Sequence, residues 1–429
     1  MKLIIHTMYY PPEMGAPQAR LSDLARGLKA RGHEVEVITA MPNYPTGRIF
    51  SGYPRWYLRE ELQGIPVHRC FILPSNRPQM VPRLISYLSF CLSSLVVGLF
   101  KLGRADIILT ESPPLFLGLT GWLLSFKKGA RWILNISDLW PDSAKYIGML
   151  QESSRIYRLM KSLARFLYGQ ADLLTGQSKE IVAELQAQSP TSATYHLSNG
   201  VRPEIFHPGS RSMDLRRRFL QEGEVGFVYA GLHGLFQGLD QIIDAAGELS
   251  GESIRFVFFG DGPEKEALMN MTRDRGLKKV DFYPPVPHEQ MPAILASMDV
   301  ALISLKTRIR GAVPSKIYEA MACGIPILLV GEGEARGILK GAKAGMVVAP
   351  NDLAGLVKAV RELAASPDRR EKLGQAGRKA AEKIYNRTEI IKRFETELFR
   401  MQERATGRVS PRGSIPGTQK KRGGSRHNL

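Results

Sequence analysis

The chain has 429 residues, 44% of them hydrophobic and 23% charged, an ordinary globular composition with length for about two domains, each with a core of its own. Its three cysteines, Cys70, Cys91 and Cys323, lie far apart, with no CxxC pair and no histidine at ligand spacing, which excludes a disulfide framework or a zinc site and leaves reduced, packed thiols. The net charge of +18 suits nucleic acid, an anionic lipid surface or anionic small substrates and does not choose among them.

From the amino terminus, one lysine and Leu3-Ile4-Ile5 precede polar and proline residues, far short of the apolar run of a secretory signal, so the chain is expected to stay in the cytoplasm. Lys2–His6 reads as a strand, and Leu21, Leu24, Ala25 and Leu28 fall at i, i+3, i+4 and i+7 on one helix face. Val35–Thr39, Asp106–Thr110 and Trp132–Ile136 are the next strand candidates. This βαβ rhythm predicts a parallel, doubly wound sheet.

Between these strands lies Leu84–Phe100, an apolar stretch with Arg83 on one side and Lys101 and Arg104 on the other. It is slightly short of the roughly 20 residues of a spanning helix, and spanning would put the following strand across the membrane from the rest of its sheet. A helix at the membrane interface with basic flanks among the headgroups fits better, the alternative being a helix buried against the sheet. Leu115–Phe126, followed by Lys127 and Lys128, is a second apolar helix that favours a membrane-facing patch.

Turn residues cluster at Ser198-Asn-Gly-Val-Arg-Pro203, with Pro208-Gly209 close behind, and mark a linker. The rhythm then restarts with strands expected at Gly226–Ala230, Arg255–Phe259, Val300–Ser304, Pro326–Val330 and Gly345–Val348, and a helix stripe at Leu235, Leu239, Ile242, Ile243 and Ala246. Ala354 to Arg404 is amphipathic and helical, long enough to cross back to the first unit. After Glu403 come seven Lys or Arg and no acid, with Gly, Ser and Pro and little apolar content. That tail is expected to be disordered, either solvated or touching lipid headgroups. The domains are therefore 1–200, 201–385, a returning helix at 386–404 and the basic tail at 405–429, with a cleft between the two α/β units.

Chemistry concentrates in Val313-Pro-Ser-Lys-Ile-Tyr-Glu-Ala-Met-Ala-Cys-Gly-Ile-Pro326. Pro314 and Ser315 start a helix whose free N–H groups suit a diphosphate, and Lys316 adds a full positive charge. Glu319, on the same face, has a carboxylate able to accept both hydroxyls of a ribose; the bland alternative is a surface ion pair with Lys316. Gly15 sits at the first strand-to-helix turn, where a missing side chain lets backbone approach a diphosphate, unless it is a plain turn glycine.

The segment ending Glu319-Ala-Met-Ala-Cys-Gly-Ile-Pro326 resembles the donor-binding helix of glycosyltransferase family 4. Tyr10-Pro-Pro-Glu-Met-Gly-Ala-Pro-Gln18, Arg31-Gly-His-Glu-Val-Glu-Val-Ile-Thr39, Asp138-Leu-Trp-Pro-Asp142, Ser198-Asn-Gly-Val201 and Phe259-Gly-Asp-Gly-Pro263 resemble the same family in order, closest to the subgroup that builds bacterial exopolysaccharide, colanic-acid and O-antigen repeats. The resemblance implies a GT-B fold of two Rossmann-like domains, a nucleotide-sugar donor (usually UDP) held mostly by the second domain, and a polyprenyl-diphosphate-linked acceptor met by the first. It also implies retention at the anomeric carbon and work on the inner face of the cytoplasmic membrane, as a peripheral protein.

Four positions depart from the family pattern. Gly231-Leu232 and Gln237-Gly238 stand where a Gly-Arg turn and a Lys-Gly supply two diphosphate cations, Gly311 replaces the first of two paired glutamates, and Ser137 stands where a histidine often precedes the mid-domain aspartate. Lys316, helped by Arg308 or Arg310, is expected to replace the missing cations, because a departing diphosphate needs positive charge. Asp138 is the expected polar contact to donor sugar or acceptor hydroxyl, its alternative being a helix cap before Leu139-Trp140-Pro141. No Asp-x-Asp motif is present, so no metal and no cofactor is expected beyond the donor substrate. Nucleic-acid binding lacks any recognition-helix or aromatic-rich basic strand, while a GT-B epimerase and an inactive donor-binding subunit stand as alternatives.

Overall fold

The computed structural model describes residues 1–76, 79–146, 150–308 and 310–405; most of the basic tail, residues 406–429, lies outside them. The first unit runs β1 (Lys2–His6), α1 (Ala16–Ala30), β2 (Glu34–Ala40), β3 (Tyr57–Leu62), β4 (Ile65–Cys70), α2 (Met80–Lys101), β5 (Ile107–Ser112), α3 (Leu117–Lys128), β6 (Arg131–Ile136), α4 (Asp142–Tyr146), α5 (Arg155–Gln170), β7 (Leu173–Gly176), α6 (Lys179–Gln188) and β8 (Thr194–His196). Its sheet has the order β3-β4-β2-β1-β5-β6-β7-β8 and is parallel except for the β3–β4 hairpin.

The second unit runs α7 (Met213–Phe219), β9 (Val225–Ala230), α8 (Asp240–Glu248), β10 (Ile254–Phe259), α9 (Lys265–Asp274), β11 (Val280–Tyr283), α10 (Met291–Ser297), β12 (Val300–Ser304), α11 (Lys316–Ala322), β13 (Ile327–Val330), α12 (Gly333–Ala342), β14 (Gly345–Val348), α13 (Leu353–Ala365) and α14 (Pro367–Lys383), followed by α15 (Arg387–Ala405). Its sheet, β11-β10-β9-β12-β13-β14, is wholly parallel. These are the two doubly wound units of a GT-B fold.

Parallel strands buried on both faces need near-continuous apolar sequence, and β5 and β13 have no exposed residue. On one face of the first sheet, Phe90, Leu117, Leu124, Ala164 and Leu167 from α2, α3 and α5 form a core. On the other, Leu21, Leu24 and Leu28 of α1 pack with Ile390, Ile391, Phe394 and Leu398 of α15. The last helix thus returns to the first unit, where Glu395 accepts from Arg31 and from His33 at 2.6 and 2.8 Å. The chain crosses between units twice side by side: Val201 N–H donates to Tyr385 O, and Arg387 N–H to Val201 O, both at 2.8 Å.

Five strands depart from the sequence expectation by appearing where none was read: β3, β4, β7, β8 and β11. The β3–β4 pair turns on Gln63-Gly64, both at positive φ, a two-residue hairpin signal. The expected helix stripe beginning at Leu235 is shorter than expected. Gly238, at φ 56, ends a single 3-10 turn, α8 starts at Asp240, and Leu235 is exposed.

Leu84–Phe100 is buried on one side, as the second alternative expects, and exposed on the other. Ser86, Phe90, Cys91 and Ser94 of α2 face the sheet and are buried; its serines tie it to protein, Ser94 Oγ lying 3.1 Å from His6 Nε2 and Ser93 Oγ donating to Phe71 O. Its outer side is an exposed apolar stripe: Val81, Ile85, Leu88, Leu92, Val96 and Leu99. Among the described residues this is the one helix long and apolar enough to cross a membrane.

Candidate active site in the interdomain cleft

The carboxyl ends of both sheets face each other across a cleft of about 490 Å³, the place where open α/β sheets bind ligands. Its first wall is the β1–α1 turn. Glu13 is buried there and accepts backbone N–H groups of Asn43 and Tyr44, each at 2.8 Å, and of Tyr10 at 3.3 Å. Burial raises its pKa while those three donors pull it back. The buried Arg69, paired with Glu60 at 2.7 Å, donates to Pro11 O in the same turn. Pro11-Pro12-Glu13 is therefore a braced edge, and Gly15 lies on its cleft side.

The second wall is the start of α11 with the residues around His288. Ser315 and Glu319 line the cleft opposite Gly15. Ser315 makes no side-chain cap bond, so its hydroxyl is uncommitted. His288 Nε2 is 3.9 Å from Glu319 Oε1, and Glu319 is the first cause of a raised His288 pKa.

Lys316 turns the other way along the sheet. Its Nζ lies 4.1 Å from the centre of the Tyr229 ring, at the end of β9. A Cβ on Gly231, itself at φ 146, would collide with that ammonium. Among the described residues Lys316 has no carboxylate or hydrogen-bond partner, so the expected surface ion pair with Glu319 does not form. Burial lowers its pKa to about 8, with Glu319 opposing. Of the neighbouring basic groups, Lys265 is a cation committed to backbone carbonyls, and His233 is held in its neutral form. Lys265 Nζ is bonded to Gly260 O and Tyr283 O, and the imidazole of buried His233 is lowered to about 4, first by burial, then by Lys265 and Lys316.

Arg308 and Arg310 lie elsewhere than expected. Arg308 pairs with Glu180 at 2.8 Å and Arg310 with Glu184 at 2.6 Å, both on α6 of the first unit, and neither lines the cleft. Gly311 N–H also donates to Glu180 at 2.8 Å, and Glu334 accepts the Lys179 and Glu180 N–H groups at 2.7 Å. The loop that carries the first of the paired glutamates elsewhere in the family is here docked on α6. Gly311 is at φ 78 and its missing Cβ would press on Ile181, so a larger residue does not fit.

Asp138 stands beyond the last residue of β6 and does not line the cleft. Burial raises its pKa, opposed by contacts within its own turn that include Leu139 N–H and the Trp140 side chain. Beside it lies a network that single residues did not announce. Glu111 pairs with Arg20 at 2.5 Å, and accepts from Ser137 Oγ and Asn135; both members of the pair are almost fully buried. Equally unannounced is the hinge end of the cleft, where Asp23 holds Arg26, Arg202 and Arg387. Arg387 also donates to Asn199 O and Gly200 O at 2.9 Å, locking the double crossing.

Two family models cover nearly all of this architecture: residues 15–200 match a glycosyl transferase 4-like domain, and residues 215–380 match glycosyl transferases group 1. The chain belongs to glycosyltransferase family 4. The glycosyltransferase is 25% identical to the putative colanic acid biosynthesis glycosyl transferase WcaI of Escherichia coli K12, over 93% of this chain and all of that one. In fold it is similar to sucrose-phosphate synthase of Thermosynechococcus elongatus, with TM-score 0.73 at 17% identity, covering 94% of this chain and all of that one. It is also similar to HepE of Anabaena solved with UDP, with TM-score 0.70 at 16% identity over 93% and 100% of the two chains.

Proposed function

We propose that this glycosyltransferase moves a sugar from a nucleoside-diphosphate sugar, with UDP as the carrier, to a polyprenyl-diphosphate-linked saccharide during synthesis of a bacterial surface polysaccharide. The single observation that carries the reading is the uncommitted ammonium of Lys316 beside Gly231, on the same helix start that presents Ser315 and Glu319 to the cleft. A half-neutralised diphosphate leaving group requires such a charge. The solved complex of HepE with UDP and the biosynthetic role in WcaI's name support the donor and pathway classes.

The roles follow from position. The α11 start and Lys316 hold the diphosphate, Glu319 accepts the ribose hydroxyls, and Gly15 admits the donor against the first wall. In the transfer, the bond between the anomeric carbon and the β-phosphate oxygen breaks. A bond forms to the acceptor oxygen, and the hydroxyl proton leaves with the diphosphate. Orientation in the cleft and stabilisation of the departing diphosphate supply the rate, with retained configuration and no divalent ion. Asp138 keeps the polar contact to a donor-sugar or acceptor hydroxyl in this reading, from its place just after β6 and set back from the cleft lining. The exposed stripe of α2 supports a peripheral position on the cytoplasmic membrane, where a lipid-linked acceptor would reside.

The test is UDP release from a panel of UDP-sugars in EDTA, with and without an extract of bacterial polyprenyl-linked sugars. Release that needs one sugar and the lipid extract is the expected result. Release independent of lipid rejects the acceptor assignment, and no release with any pair favours an inactive donor-binding subunit.

A further inference from the structure

The helical layer over one face of the first sheet has a composition unlike the rest of the protein. The helices α2, α3 and α5 together carry eight Lys or Arg and not one Asp or Glu. They pack side by side: the Trp122 ring of α3 meets Phe166 of α5 edge-on at 5.2 Å, and Gly98 of α2 lies against Leu124 of α3.

Their outward side is apolar. Besides the stripe on α2, Phe100 is 80% exposed, Phe126 on α3 75%, and Leu159 on α5 72%. Ile156 and Phe166 of α5 are exposed as well. On α5 these apolar residues alternate with exposed Arg155, Arg158 and Arg165. Among the described residues no acid pairs with these three arginines. At the far end of the layer, Lys101, Arg104 and Lys127 surround Phe100 and Phe126 in sequence, and Lys2, Arg104, Lys127 and Lys128 line one shallow hollow there, with Asp106 as its single acid.

We propose that the outer face of α2, α3 and α5 docks on an anionic phospholipid bilayer, with α5 as the element that selects for negative headgroups; the proposal rests on the peripheral membrane reading above. Apolar side chains alone would suit any lipid or a second copy of the chain. A second copy docked by the same face would bring the exposed Arg155, Arg158 and Arg165 of both copies together, with no acid on α2, α3 or α5 to offset them. An anionic leaflet instead meets the arginines while the Ile, Leu and Phe side chains enter the acyl boundary. The face also joins the cleft usefully, because α2 begins just beyond the carboxyl end of β4, on the side of the sheet where the cleft lies.

The test is sedimentation of the full chain with vesicles of phosphatidylcholine alone and of phosphatidylcholine with phosphatidylglycerol, two parts to one, without donor or acceptor. Tight binding to the anionic vesicles only is expected. The triple change Arg155→Gln, Arg158→Gln, Arg165→Gln should weaken it on the order of a hundredfold, from about 1 kcal/mol per charge. Ile156→Gln with Leu159→Gln should weaken it as well, both with an unchanged melting temperature because these side chains are outward.

Wild-type protein that ignores anionic vesicles, or binds both kinds alike, overturns the proposal. So does unchanged binding in both variants, which would assign the contact to the basic tail. Loss of binding that coincides with loss of a dimer, seen by light scattering without lipid, would identify a second copy as the occupant. Because no donor or acceptor is present, each outcome is separate from whether the sugar-transfer reading holds.

Discussion

The ammonium of Lys316 sits over the ring of Tyr229 at 4.1 Å, at the turn after β9 where Gly231 is followed by leucine rather than arginine. Burial there holds its pKa down at about 8, and an incoming diphosphate would raise it again by supplying the missing counter-charge. The charge is thus left unpaired, since no carboxylate in the described structure takes it.

Lys316→Ala is accordingly expected to lower kcat/KM by about 10²-fold, the loss seen when one group stabilising developing charge is removed, with the melting temperature held within a few degrees. Lys316→Arg should recover part of it. Turnover equal to wild type in the alanine variant would sink the assignment.

The same group gives two pH dependences of opposite sign. Donor affinity should fall as pH rises through about 8, where the free enzyme loses the Lys316 charge. Stability should gain from this residue between about 8 and the ordinary lysine value of 10.5, because there the unfolded chain binds a proton that the folded one has released. Donor titrations and urea melts of wild type and Lys316→Ala across pH 7–10 check both; the slopes specific to Lys316 should vanish in the variant.

Arg308→Gln and Arg310→Gln, singly, are expected to leave donor KM within about twofold. Both arginines are half exposed in their pairs with Glu180 and Glu184, and pairs with so much solvent access contribute about 0–1 kcal/mol each. A tenfold rise in KM for either would return that arginine to the diphosphate site.

Glu111→Ala should destabilise the protein by about 3–5 kcal/mol, because it leaves the Arg20 guanidinium, buried in the first domain, without its charge partner. Denaturant unfolding measures it directly. A loss under 1 kcal/mol would mean that water or another group reaches Arg20.

Phe394→Ala should cost about 3–5 kcal/mol through a cavity between α15 and α1. If α15 fastens the two domains together, limited proteolysis should also release the carboxyl-terminal helix first. A variant that unfolds like wild type would show that the returning helix contributes little.

How far each feature was legible depended on whether its cause was local. The long β-branched strands, the amphipathic α1 and the crossing near residue 200 repeat a period that neighbours in sequence impose. Short strands such as β7 and β8 carry four and three residues, too few to show a period. Their pairing is decided by the adjacent strand. The helix stripe from Leu235 was misread because Gly238 breaks it at positive φ, which the spacing of apolar residues does not register.

In the site, Gly15, Ser315, Lys316 and Glu319 could be picked out because they sit at helix starts and turns whose backbone chemistry is written in a few consecutive residues. Arg308 and Arg310 could not be placed, because what holds them, Glu180 and Glu184, lies about 130 residues earlier on the facing domain. Separations of 91 residues for the Glu111–Arg20 pair and 364 for Asp23–Arg387 hid those groups in the same way.

By itself, then, the sequence determined two α/β units, the linker, the glycosyltransferase motifs and the presence of apolar helices, since each rests on short-range periodicity or on a contiguous motif. Only the tertiary structure decided that Lys316 is left without an acid partner beside Gly231 among the described residues, which loop is docked on α6, and that the acid-free helices α2, α3 and α5 form one layer. Those depend on which surfaces meet when the elements pack, and side chains far apart in sequence, 128 residues for Arg308 and Glu180, settle them through burial and charge pairing that no local pattern records.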